Sequence, residues 1–107
     1  MEDLPYSADF DAGRRTLVVT GDIDEVTGPR LRESLTTLVE PGAPPVTVDL
    51  SDVTFLPSAA VSVLVTAVRA ADQAGTGFQL VATPGTISHR VLTICGVPVG
   101  DPQHSQA

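Results

Sequence analysis

The chain has 107 residues, 42% of them apolar and 18% charged, a globular composition with room for one core and no second domain. Its formal net charge is −7, with 13 Asp and Glu against six basic residues, every one of them Arg. That balance argues against nucleic acid and against an anionic membrane surface, both of which need cationic patches. No run approaches the ~20 apolar residues of a membrane span.

The single Cys95 allows no internal disulfide, so a reducing, cytoplasmic setting is expected. The opening stretch MEDLPYSADFD lacks the basic and apolar regions of a signal peptide. Aromatic residues are few (Tyr6, Phe10, Phe55 and Phe78), which leaves Val, Leu, Ile and Ala to build the core.

Residues 6–10 and 16–20 read as two strands joined by Asp11-Ala12-Gly13-Arg14, the turn chemistry of an antiparallel hairpin. The segment GDIDEVTGPRLRESLTTLVEPG follows. Leu31, Leu35, Leu38 and Val39 recur at helical spacing there, with Thr27 or Gly28 as the cap, Pro29 in the first turn and Pro41-Gly42 as the stop.

Residues 46–50, VTVDL, read as a central parallel strand covered on both faces. A turn carrying Ser51 and a second short strand over 53–56 are predicted next. After Pro57 a helix is predicted over 59–74, with Ala60, Leu64, Ala67, Val68 and Ala71 inward and Gly75 closing it. Residues 78–82 form the next strand. A last helix over 87–95 would turn Ile87, Val91, Leu92 and Cys95 inward; Val97-Pro98-Val99 would add an edge segment, and residues 101–107 a frayed tail. The order β-β-α-β-β-α-β-α predicts an α/β fold, a mixed and mostly parallel sheet with an N-terminal antiparallel hairpin and right-handed crossovers.

The chemistry is sparse. His89 and Cys95 do not share a helix face well, and His104 lies in the tail, so neither a metal site nor a cofactor is expected. No residue pairs with a serine as an oriented base, and no Gly-rich phosphate loop is present, so the chain is not expected to be an enzyme. Two features stand out. Asp22, Asp24 and Glu25 cluster between a strand end and a helix start, where acids stabilise the helix or border a recognition surface. Ser58 stands at the start of the second helix, among unpaired backbone N–H groups that would favour an attached phosphate. It is either a switch or a helix cap. Ser62 follows one turn later.

The combination GDID-x-x-T-x-x-x-L, then VDLSDVTFLPSAAVSVLV, then FQLVA and the helix before CGV, resembles the STAS domain family over residues 5–100. It is most similar to the single-domain anti-sigma-factor antagonists of bacteria. The resemblance implies a STAS-like sheet flanked by three to four helices, in a monomer or weak homodimer. It also implies a protein that docks on an anti-sigma factor that is a serine-protein kinase, switched by phosphorylation of Ser58. Asp22, Asp24, Thr27, Pro57, Ser58, Ala59 and Ser62 would border that partner. Where the family motif reads Asp-Ser-Ser-Gly, this chain has Pro57, Ser58, Ala59 and Ala60; the acceptor hydroxyl is kept and its neighbours differ. The alternative is a STAS interaction or scaffold subunit that is never phosphorylated, with Ser58 only a cap.

Overall fold

The structure, a computed structural model, describes residues 5–102. Four strands, β1 (Ser7–Asp11), β2 (Thr16–Asp22), β3 (Val46–Phe55) and β4 (Phe78–Val81), form one sheet in the order β1-β2-β3-β4. Three helices, α1 (Thr27–Leu38), α2 (Ser58–Ala74) and α3 (Ile87–Ile94), connect or follow them. The β1–β2 hairpin is antiparallel and the other two pairings are parallel. The predicted mixed α/β sheet with an N-terminal hairpin is therefore the fold. His104 and most of the expected tail lie outside the described residues.

Because the sheet order follows the chain, right-handed crossovers set successive helices on the same face. That face carries Leu17, Val19, Val48, Leu50 and Leu80, which join Leu31, Leu35, Leu64, Ala67 and Leu92 of the helices in one core cluster. Each fully buried Leu or Val contributes about 1.5–3 kcal/mol. The opposite face shows Thr16, Val18, Thr20, Thr47, Asp49 and Ser51, all half-buried, and the exposed Gln79; only at its β4 edge is it covered, where Val81 is buried beside Gly100. The expectation that residues 46–50 are covered on both sides is thus corrected. Their buried and half-buried positions alternate, the pattern of a sheet with one dry face.

Two further expectations change. Residues 46–55 are one strand, not two strands around a turn. β3 advances three residues (Asp49 to Asp52) against two of β2 (Val18 to Thr20), and two (Val53 to Phe55) against one (Gly21 to Asp22). These two extra residues are bulges, and they explain why period two fails after Leu50. At the first, the Asp49 carboxylate accepts the Ser51 N–H at 2.9 Å, a local bond that reads as a turn in sequence.

In α3, Leu92 is buried and Val91 half-buried against the core as expected, but Ser88 is the other inward residue, and the expected Ile87 and Cys95 are exposed, as is Ile94. Both ends of this short helix are pinned. The Thr86 hydroxyl accepts the His89 N–H, and the Val97 N–H returns to the Leu92 carbonyl past Gly96, whose φ is +76°. Those anchors set the helix's rotation. The expected edge segment Val97-Pro98-Val99 forms no strand; the residue after it, Gly100, bridges Val81 instead.

Candidate functional site

The carboxyl ends of β2 and β3 bring the two sequence features together. Asp22 and Phe55, the last residues of the two strands, are register partners. The Thr54 hydroxyl donates to the Asp22 carboxylate across the seam. One residue on, the Ile23 N–H donates to the Phe55 carbonyl at 3.1 Å. The acidic loop is thus fastened to the segment that leads, three residues later, to Ser58.

Within the loop, Asp24 and Thr27 cap each other. Oδ1 of Asp24 accepts the N–H groups of Val26 and Thr27, each at 2.9 Å. Oγ1 of Thr27 accepts the Asp24 N–H at 2.8 Å and directs its proton toward the Asp24 carboxylate (3.1 Å) and the Asp22 carbonyl (3.2 Å). The Asp24 carbonyl then takes the Gly28 N–H at 2.7 Å. This is a reciprocal cap built from an Asp and a Thr. The predicted cap at Thr27 or Gly28 is therefore refined: Asp24 accepts the free N–H groups at the start of α1 and Thr27 holds Asp24. These bonds, led by the one from Thr27, hold the exposed Asp24 carboxyl below the usual aspartate range.

Ser58 is the first residue inside α2, not its cap. Pro57, with φ −74° and ψ 169°, is the extended residue before the helix, and its carbonyl accepts the N–H groups of Ala60 (2.9 Å) and Val61 (3.0 Å). Pro57 has no side-chain donor or acceptor, so the turn carries no side-chain cap. Ser58 and Ala59 are exposed, and among the described residues no hydrogen bond involves the Ser58 hydroxyl. Ser62, one turn on, is exposed on the same side. Ala60 is only 2% exposed, so the methyl that replaces a family glycine points into the core.

Sequence reasoning passed over two residues of this pole. Phe55 is 51% exposed and Val26 is 70% exposed. Both look like core residues in a linear reading, because Phe55 ends an apolar strand and Val26 precedes an amphipathic helix. The signal that could have found Phe55 is the run VTFLP. With Val53 and Leu56 facing in, Phe55 has no inward position left.

The site offers an exposed serine whose hydroxyl is hydrogen-bonded to no base among the described residues. A groove of about 370 Å³ lies elsewhere, between α1 and α2, lined by Leu35, Val39, Val63, Ala67 and Ala70. Among the described residues no three His, Cys, Asp or Glu side chains gather as metal ligands would. No helix of the structure is long and apolar enough to cross a membrane.

The fold has counterparts among known proteins. The family model described as "Mlab, STAS domain" matches residues 7–97. The chain belongs to the STAS domain family. A crystal structure of an anti-sigma factor antagonist from Mycobacterium paratuberculosis is similar, with a TM-score of 0.71 and 27% identity over 90% of this chain and 84% of that one. The Bacillus cell-fate determinant SpoIIAA in its phosphorylated form has a TM-score of 0.65 at 15% identity, over 92% of this chain and 94% of that one. Its unphosphorylated form, an anti-sigma factor antagonist, has a TM-score of 0.66 at 14% identity, over 92% and 90%. At such identities the two SpoIIAA structures show a shared fold.

Proposed function

We propose that this domain is an anti-sigma-factor antagonist, a non-catalytic cytoplasmic regulator that docks on a serine-kinase anti-sigma factor and is released when Ser58 is phosphorylated. One observation carries the reading. Ser58 is exposed at the first position of α2, its hydroxyl without a hydrogen bond among the described residues, beside a loop fixed to the end of β3. Asp22, Asp24, Thr27, Pro57, Ser58, Ala59 and Ser62 form or border the docking pole.

Phosphorylation would add about −1.5 to −2 charges at this point. The positive end of α2 tolerates that charge, so the domain stays folded. A partner seated on the pole would have to accept the charge within its contact, near Asp22 and Asp24. Losing about 1.4 kcal/mol weakens binding tenfold, so a modest penalty suffices for release. The test compares wild type, Ser58→Ala and Ser58→Asp for binding to the purified kinase-type anti-sigma factor, then weighs the wild type after incubation with that kinase and ATP. Tight binding by the first two, at least tenfold weaker binding by Ser58→Asp, and a mass gain of one phosphoryl group on Ser58 are expected.

A second reading rests on the residues around Ser58. Pro57, Ala59 and Ala60 depart from the family motif, and a constitutive scaffold subunit would need no acceptor. Equal affinity of all three proteins with no mass gain is the outcome that supports it. In that case Ser58 would still not be a cap, since it lies inside the helix.

A further inference from the structure

We propose that Phe55 and Val26 anchor the partner at this pole, and that the partner surface they fit is an apolar pocket rimmed by basic side chains. The inference rests on the pole being the docking face; it does not need Ser58 to be phosphorylated.

Three observations support it. First, Phe55 differs from the other aromatic residues near the surface. Phe10 lies under the Arg15 guanidinium, 5.1 Å from its ring centre, and Tyr6 lies under that of Arg30 at 5.2 Å. Among the described residues no cation covers Phe55, whose ring stands half in water at the end of a strand.

Second, both side chains stand on fixed backbone. The Phe55 carbonyl holds the Ile23 N–H, and the Val26 N–H is held by Asp24. Apolar groups on pre-ordered backbone lose little freedom on binding, and aromatic residues of this kind dominate interface energetics. Third, the surrounding charge is mostly acidic. Asp22 ends β2, Asp24 and Glu25 follow it and Asp52 lies near the end of β3, whereas the nearest cation in the α1 sequence, Arg30, one turn beyond Val26, is engaged over the Tyr6 ring. An apolar centre with a predominantly acidic rim complements an apolar pocket with a basic one. The exposed Ile94 on α3 lacks that rim and has Arg90 and His89 on its own helix.

The test has two arms. p-Benzoyl-phenylalanine is placed at position 55, or at position 94 as a control, in the native host, and the cross-linked protein is identified and purified. That purified protein is then titrated calorimetrically against wild type, Phe55→Ala, Phe55→Leu, Val26→Ser, Ile94→Ala and Ser58→Asp at low and high salt. Thermal melts check that each variant is folded.

Cross-linking from 55 and not from 94 is expected, with at least tenfold weaker binding by Phe55→Ala and partial recovery by Phe55→Leu. Val26→Ser should bind severalfold more weakly, Ile94→Ala should stay within twofold of wild type, and affinity should fall as salt rises. Phe55→Ala binding within twofold of wild type, affinity indifferent to salt, or no cross-link from 55 overturns the proposal. The two readings fail separately. Loss at Ser58→Asp with Phe55→Ala unaffected removes the anchors and keeps the switch; the reverse keeps the anchors and removes the switch.

Discussion

The Asp24 carboxylate is committed to the chain that carries it. It accepts two backbone N–H groups and faces the Thr27 hydroxyl, which is why its carboxyl titrates below the usual range although it is exposed. A carboxylate with a lowered folded value adds stability that is fully present above the unfolded value of about 3.9. That stability is lost as pH falls through the folded value. Melting temperature should therefore drop on acidification across that window, and Asp24→Ala should show both a lower melting temperature at neutral pH and a shallower acid drop. A parallel acid drop in wild type and variant would remove Asp24 as the cap. With Asp24 facing inward to its loop and Asp22 bonded by Thr54, Glu25 is the loop acid whose carboxylate forms no hydrogen bond among the described residues. A sequence shows the three acids as equals; the hydrogen bonds that separate their roles exist only once the loop is closed. A different residue-scale tension sits in α3, where Ser88 is fully buried and its hydroxyl has no hydrogen-bond partner among the described residues. An unmade buried hydrogen bond costs about 1–3 kcal/mol. Ser88→Ala should therefore raise stability, by about 1 kcal/mol in a denaturant titration; a loss of stability would show that the hydroxyl is satisfied.

At the scale of elements, α1 and α2 were legible because their apolar periodicity is long enough to fix one face. Leu31, Leu35 and Val39 are buried as the spacing requires, as are Ala60, Leu64, Ala67 and Ala71. The phase of α3 was legible only in part. Of the expected inner residues Ile87, Val91, Leu92 and Cys95, Leu92 is buried and Val91 packs against the core, whereas Ile87 and Cys95 are exposed, because so short a helix takes its rotation from the two anchors at its ends. The start of α2 was legible to within one residue, and that one residue decides what Ser58 is. An N-cap hydroxyl replaced by Ala costs about 0.5–2 kcal/mol. Ser58, inside the helix and unbonded, should lose less than about 0.5 kcal/mol in Ser58→Ala. Ser58→Asp should gain about 0.3–1 kcal/mol at low salt, because it sets a negative charge against the positive end of the helix. A loss of cap size in Ser58→Ala would put the hydroxyl back on the helix backbone. These stabilities are measurable on the free domain and need no partner.

At the scale of the whole molecule, the described residues form two layers, and that follows from the strand order. A sheet that grows in chain order, by crossovers of one hand, receives its helices on one side. The alternation was present in the sequence: Leu17 and Val19 against Thr16, Val18 and Thr20, and Val46, Val48 and Leu50 against Thr47, Asp49 and Ser51. Reading VTVDL by its apolar content hid that pattern, since β-branched Thr resembles Val in propensity but not in burial. The two faces of β2 offer a direct test with one substitution at neighbouring residues. Val19 is fully buried in the core and Val18 stands half-buried on the open face. Val19→Thr places a hydroxyl where no water reaches it and should destabilise by about 1–3 kcal/mol. Val18→Thr exchanges one β-branched side chain for another beside Thr16 and Thr20, and should stay within about 0.5 kcal/mol of wild type. Both values come from the same urea titration, so errors in extrapolation largely cancel. Similar losses at the two positions would mean that a further layer covers the open face, and the two-layer architecture would not stand.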